Sequence, residues 1–269
     1  MNGLGLSSAK QNSLDESAPT DLRYYVADGV NDSIIGNALT PYIWSDIATQ
    51  DLTISLWVRV DASSKKNLMP FSLSELNTST DNAVYIYYQA NVNRLFFKQR
   101  FSGSSMERGY SLDYPNHTIT GVGVESTGWT SGQRGNTNAE GFTNITITFD
   151  ASSGSNGIKM FWNGTELAAS IINNTSSLKT NWNPAFLRIA DNASSTSSTA
   201  AAFDGAINEI KLYNRVLSAA EVGSLYNFGV VANAEEVDVQ SGLITEWELS
   251  NETDSSGKYS SNLNGGSLV

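Results

Sequence analysis

Carboxylates at alternate positions are the first side chains here with the makings of chemistry. Glu236-Val237-Asp238 and Glu246-Trp247-Glu248 each carry two. On a strand, alternate residues share one sheet face. Two carboxyls on one face are what glycosidic cleavage needs, as acid and as base or nucleophile. The same pairs on an edge strand serve equally well as solvated charge. Aromatics outside regular structure form the second group. Tyr114, Trp129 and Trp182 fall in loop-like stretches, where a ring face can stack on a sugar while amides take its hydroxyls. Packing is the competing role for each. Trp57 and Trp162 fall in strand-like stretches and are read as core. The single histidine, His117, sits in Tyr114-Pro115-Asn116-His117-Thr118, a turn entering a strand, and reads as a solvated loop residue. The absence of cysteine excludes disulfides and thiolate metal sites. No phosphate loop, metal-ligand helix or nucleophile motif occurs in the sequence.

The elements that would position these groups are mostly strands. Residues 52–60 alternate, with Leu52, Ile54, Leu56, Val58 and Val60 on one face. Residues 83–89 and 94–100 read as a hairpin rich in Tyr, Phe and β-branched residues. Residues 103–141 read as a long Gly/Ser-rich stretch with two ragged strands and a loop of the length that often carries function. In 142–149 the apolar residues are Phe142, Ile145, Ile147 and Phe149. Their change of period near Asn144 predicts a bulge. A Ser/Gly turn over 151–157 precedes a hairpin, 158–162 and 165–169, joined by Asn163-Gly164 as a type I′ turn. Short strands are expected at 22–26, 33–35, 186–190 and 206–213. One helix is signalled. Ser218 caps 219–226, Glu221 completes a capping box, Val222 and Leu225 share a face, and Gly229 ends the turn. Strands at this spacing with a single helix argue for a two-sheet sandwich.

Composition narrows the class. The 269 residues suffice for one large β-sandwich or two small domains, and 40% are hydrophobic. Only 16% are charged, below the usual quarter, so solubility rests on Ser, Thr, Asn and Gly. The net charge of −11 disfavours nucleic acid, which demands a basic face. No apolar run reaches bilayer length, so no membrane insertion is expected. Residues 1–21 are polar, contain Pro19 and lack an apolar signal-peptide core. They read as a flexible arm, and any route to the outside is expected to be a non-Sec one.

Several stretches, in order, resemble the laminin-G-like, concanavalin A-like family. Asp28-Gly29-Val30-Asn31-Asp32 is similar to its opening DGxxD turn, and Ile54-Ser55-Leu56-Trp57-Val58 to its Trp-bearing strand. Residues 144–150 followed by 160–167 resemble its strand pair ending in an Asn-Gly turn. The segment 203–222, Phe203-Asp204-Gly205-Ala206-Ile207-Asn208-Glu209 and onward to Glu221-Val222, is similar to its closing strand and helix. The resemblance covers about residues 22–228 and implies an all-β, two-sheet antiparallel jelly roll. It also implies a calcium site between the opening turn and the closing strand, nominating Asp28, Asn31, Asp32 and Asn208. Asn208 stands where the family usually has Asp, which removes a charge, and the turn alone also accounts for Asp28 and Asn31. Family members that are glycoside hydrolases carry Glu-x-Asp-x-x-Glu. Here Glu236-Val237-Asp238 lacks the third acid, and Glu252 is one position off for Glu246-Trp247-Glu248.

One segment is displaced. A strand and a DSSG turn that precede the opening turn in many members sit here at the other end, as 243–249 and Asp254-Ser255-Ser256-Gly257. The expected organisation is therefore an arm (1–21), a jelly roll (22–228) and a linker with a strand segment (229–269). That segment completes the same sandwich, or a neighbouring subunit's by strand addition, or opens a truncated second domain. The first is favoured. The arm and the displaced strand point to a non-enzymatic virion structural or decoration protein, of a bacteriophage, displayed on the virion surface and contacting virion proteins or copies of itself. The alternative is a carbohydrate-binding or adhesive module that meets cell-surface glycans, outside the cell or at its surface. A glycoside hydrolase stands third.

Overall fold

The computed structural model describes residues 25–29, 32–37, 51–61, 67–74, 83–89, 94–101, 104–111, 142–168, 170–174, 186–190, 203–230, 239, 241–247, 261–264 and 267–268. The strands are β1 (Tyr25–Asp28), β2 (Ser33–Asn37), β3 (Leu52–Val60), β4 (Leu68–Ser74), β5 (Ala83–Gln89), β6 (Arg94–Phe101), β7 (Ser104–Ser111) and β8 (Thr143–Phe149). They continue as β9 (Ile158–Trp162), β10 (Thr165–Glu166), β11 (Ser170–Asn174), β12 (Phe186–Ile189), β13 (Asp204–Tyr213), β14 (Leu243–Trp247), β15 (Ser261–Asn264) and β16 (Ser267–Leu268). One α-helix, α1 (Ala219–Val230), lies between β13 and β14.

Two antiparallel sheets form a sandwich. The first runs β10-β9-β8-β3-β13-β1-β16, with β14 also pairing β13, and the second runs β11-β7-β6-β5-β4-β12-β2-β15. The period-two pattern of β3 decides its placement. Leu52, Ile54, Leu56, Val58 and Val60 enter the core between the sheets, and Thr53, Ser55, Trp57 and Arg59 take the outer face. From the second sheet Phe71, Leu73, Val84, Ile86, Tyr88, Leu95, Phe97, Leu187 and Ile189 meet them. Phe97 reaches across to Phe149 with ring centroids 6.4 Å apart.

Strand β8 pairs β3 without a register shift, so the expected bulge near Asn144 is absent. Phe142, Asn144, Thr146 and Thr148 alternate outward, while Ile145, Ile147 and Phe149 alternate inward. Phe142 looked out of period because it serves the outer face. The Ser/Gly stretch 151–157 is a 3-10 helix rather than a simple turn. Asp150 organises it by accepting from Ser152 N and Oγ and from Ser153 Oγ, and these bonds lower its pKa. The Asn163-Gly164 turn has φ of 50° and 75°, as type I′ requires. A Cβ on Gly164 would lie 3.1 Å from Tyr226 Cβ, so this turn fits closely beneath α1.

The capping box forms as expected. Glu221 N–H donates to Ser218 Oγ at 3.3 Å, and Ser218 N–H to Glu221 Oε2 at 2.7 Å. The helix then runs through Gly229 to Val230 instead of ending there. The C-terminal segment completes the chain's own sandwich: β14 pairs β13, β16 pairs β1 and β15 pairs β2.

Candidate functional site

The outer faces of the two sheets differ in what covers them. On the first, Thr53 hydroxyl donates to Arg215 C=O (2.7 Å) and accepts from Leu217 N–H (3.0 Å), which fixes the approach to α1. Helix α1 then lies over the face. Val222 and Leu225 pack with Phe161, Tyr213 and Leu217, and Tyr226 stacks on Trp57 at 5.8 Å and 22°. Between these contacts, Asn144 Nδ2 donates to Ser55 Oγ (3.2 Å), and Thr146 Oγ1 donates to Ser55 Oγ (3.0 Å). This face is closed by the chain itself.

The second sheet also turns aromatics outward. On β5 Tyr85 and Tyr87 alternate against inward Val84, Ile86 and Tyr88, and on β6 Phe96 alternates against Leu95 and Phe97. Cross-strand register pairs Tyr87 with Phe96, Gln89 with Arg94 and Tyr85 with Lys98. The Tyr87 and Phe96 rings lie 6.4 Å apart and 26° from parallel, and Tyr85 meets Tyr87 edge-on. Arg94 places its guanidinium 5.7 Å from the centroid of Phe96. Opposite Phe96 on β7 is Gly109. A Cβ there would come within 2.7 Å of Arg94 Cδ and 3.0 Å of Phe96 Cδ1, so the glycine makes room for both side chains to lean over β7. Tyr85, Phe96, Met69 and Ser72 form a buried floor. Tyr87, Gln89, Arg94 and Lys98 are half-buried and reach solvent. Burial raises the Tyr87 hydroxyl pKa, so it stays protonated as donor and acceptor at neutral pH. Among the described residues, Tyr87, Gln89 and Arg94 have no side-chain hydrogen-bond partner and no ion pair, and Ser72 Oγ is buried without one. Chemically, the arrangement offers ring faces flanked by amide, hydroxyl and guanidinium groups.

The sites expected from sequence fare differently. Tyr114, Trp129, Trp182, Asn31, His117, Glu236, Asp238, Glu248 and Glu252 lie outside the described residues. Asp28 and Asp32 are brought together, since Asp28 N–H donates to Asp32 Oδ2 at 2.9 Å. Asn208 is not brought to them. The cross-strand partner of Asp28 is Asp204, and Asn208 lies four residues further along β13, roughly 13 Å away. Calcium–oxygen distances are about 2.3–2.6 Å, so at this separation Asn208 is not placed to share an ion with Asp28. Asn208 instead accepts Glu209 N–H at 2.8 Å, in a bulge where Glu209 takes φ of 42°. Among the described residues, no three of His, Cys, Asp and Glu are placed to hold a metal.

Glu246 does meet a second carboxylate, although not the one its sequence neighbourhood suggested. Lys211 Nζ lies 2.7 Å from Glu209 and 3.0 Å from Glu246. Burial opposes the charge on Lys211, but the two carboxylates outweigh it and raise its pKa. Burial also pushes the Glu209 carboxyl up, against the pull of Lys211. With the ammonium between them, these acids tie β14 to β13.

The Tyr87 face was missed in the sequence because the hairpin 83–100 read simply as aromatic-rich. The available signal was that both alternating sets of β5 are apolar or aromatic, Val84, Ile86 and Tyr88 on one side and Tyr85 and Tyr87 on the other, whereas a sandwich core needs only one.

The sequence profile described as concanavalin A-like lectin/glucanases superfamily matches residues 36–223. No curated protein matches the sequence. Among solved structures, a proposed carbohydrate binding protein from Bacteroides ovatus ATCC 8483 is similar, at 12% identity and TM-score 0.53, over 92% of this chain and 59% of that one. The binding domain of Botulinum neurotoxin DC, solved with rat synaptotagmin II, is similar at 12% identity and TM-score 0.51, over 78% of this chain and 43% of that one. At such identities the likeness is one of fold, and this chain spans 59% of the length of the first and 43% of the second.

Proposed function

The chain belongs to the concanavalin A-like lectin/glucanase superfamily, and from that premise we propose that it is a non-enzymatic carbohydrate-binding module whose glycan surface is the outer face of its second sheet. The observation that carries this is the near-parallel Tyr87–Phe96 pair, flanked by Gln89 and Arg94, which with Tyr87 keep part of their side chains in solvent. Pyranose rings present axial C–H groups that pack on aromatic faces, and their hydroxyls need donors and acceptors at the ring margin. Tyr87, Gln89 and Arg94 supply both. The name of the Bacteroides relative points the same way.

A virion role is compatible with a glycan-binding face, but it loses one of its motives. The displaced strand segment is engaged within this chain's own sheets, so strand donation to a neighbour is not needed to explain it. The expected setting for the module is a surface that meets glycans.

The test is a glycan-array screen of the full chain followed by calorimetry on the best ligand. Tyr87→Ala is expected to weaken binding by about 1–3 kcal/mol, the range of losses on removing a stacking or hot-spot side chain, while the melting curve stays close to wild type. Binding that survives Tyr87→Ala unchanged would remove this face as the site.

A further inference from the structure

We propose that this face selects sugars carrying a carboxylate, with the Arg94 guanidinium as the group that reads the acid; the proposal rests on the glycan reading of the same face.

The first support is an exception in the charge pattern. The chain has 27 acidic and 16 Lys and Arg residues, so partners for a cation are plentiful. Arg59, Lys159, Lys211 and Arg215 each have a carboxylate within 3.2 Å. Arg94 has none among the described residues, and its contact is with the Phe96 ring. A guanidinium stacked on a ring is oriented by it. Held there beside Tyr87, its N–H groups are within reach of a substituent on a ligand seated on that ring.

The second support is the matching of groups. The planar fork of Arg meets a planar carboxylate through two parallel hydrogen bonds. Gln89 lies directly across the strand pair from Arg94, and Tyr87 lies two residues before Gln89 on the same face. Together they take the neutral hydroxyls of the same sugar. The acidic register position in these strands, Glu107 of β7, is opposite Lys98 rather than Arg94.

The third support concerns which anion. Densely sulfated chains bind through many cations in series, whereas the group beside Tyr87 here is one guanidinium. A single guanidinium suits one carboxylate per recognised sugar.

The experiment compares the full chain against oligogalacturonate, oligoguluronate and hyaluronan fragments, their methyl esters, a sulfated galactan and a neutral galactan, by calorimetry at low salt. At least one carboxylated probe is expected to bind at least about tenfold tighter than its methyl ester. Arg94→Gln should bring that ratio to near one, and Arg94→Lys should retain part of it. Lys159→Gln, whose side chain is half exposed on the other sheet, serves as a control expected to match wild type. Thermal melts check that each variant is folded. Equal binding of acid and ester, preference for the sulfated probe, or selectivity that survives Arg94→Gln overturns the proposal and leaves glycan binding standing. Failure of the wild type to bind any probe, neutral galactan included, overturns both.

Discussion

Both sheets of this sandwich carry large aromatic side chains on their outer faces, yet the two faces are finished differently. On the first sheet Trp57, Phe161 and Tyr213 lie beneath α1 and the segment at Val239 and Leu243. On the second, Tyr85 and Phe96 are buried beneath a half-buried Tyr87 that reaches solvent. An outward aromatic on the first sheet is therefore explained by folding: it anchors a roof. On the second sheet Tyr85 and Phe96 are buried as fully, and only Tyr87, half-buried, gains less from folding and is placed to meet another partner. The polar groups follow the same division. Thr53, Ser55, Asn144 and Thr146 are joined to one another or to the roof, whereas Tyr87, Gln89 and Arg94 have no such partner among the described residues.

The sharpest way to break this comparison is a pair of truncations. Trp57 is 3% exposed and stacked on Tyr226, so Trp57→Ala is expected to cost about 3–5 kcal/mol, as for other buried Trp-to-Ala changes. Tyr87→Ala, at a half-exposed position, is expected to cost no more than about 1 kcal/mol. Urea denaturation of both variants decides the matter. Similar losses at the two positions would make the second face structural and remove the reason to assign it a ligand.

The two faces also differ in how legible they were. The roofed one announces itself: Ser218 and Glu221 spell out a capping box, and Val222 and Leu225 mark the buried stripe of α1. The inner set of β3 was equally plain from its strict alternation. Strand β4 was not read at all, because Pro70 interrupts it. The register shift between Leu68 and Phe71 absorbs that proline, and Pro70 C=O still accepts Ala190 N–H at 3.0 Å. Strands β15 and β16 were hidden in a Gly/Ser-rich tail, since their pairing comes from distant β2 and β1 and not from local propensity. The Tyr87 face was invisible for a related reason. Tyr87, Arg94 and Gly109 belong to three strands, and only the sheet register sets them side by side. The nominated calcium ligands show the reverse, because Asn208, which a family motif groups with Asp28, lies four residues along β13 from the partner of Asp28.

The second prediction concerns how the roof segment is held. Lys211 stands between Glu209 and Glu246, with 13% of its side chain exposed and 21% and 17% of theirs. Lys211→Met leaves two carboxylates facing each other without a counter-charge. The expected loss at pH 7 is about 2–3 kcal/mol, below the value for fully buried pairs because these groups retain some solvent. The loss should shrink as the pH is lowered towards 5, when one carboxyl takes up a proton and the repulsion falls. A deficit independent of pH would mean that packing, and not charge, sets the contribution of Lys211. The segment's attachment would then rest on the strand pairing with β13 and on Ile244.

The smallest effect expected is at the entrance to the roof. Glu221 accepts from Arg215 and from Ser218, and these bonds, the Arg215 one foremost, hold its pKa down at about 2. A carboxyl whose folded pKa is depressed stabilises the fold above its unfolded value, near 4.3, and loses that contribution as pH falls through the folded value. The loss therefore runs from about pH 4.5 down to about 2, and the pair gives nothing extra between pH 5 and 8. Because both partners keep about 30% of their side chains in solvent, which screens the pair, the contribution at pH 7 is expected to be under about 1 kcal/mol. Glu221→Gln keeps an oxygen for the Ser218 N–H and removes the charge together with the acceptor that faces Arg215. The stability difference between wild type and Glu221→Gln should be constant above pH 5 and close towards zero by pH 2. Asp150, also held down by its serine neighbours, is unchanged in both proteins and cancels from the difference. A difference that persisted undiminished at pH 2 would show that the Glu221 side chain acts through its shape at the cap, and that the roof of the first face is fastened by packing alone.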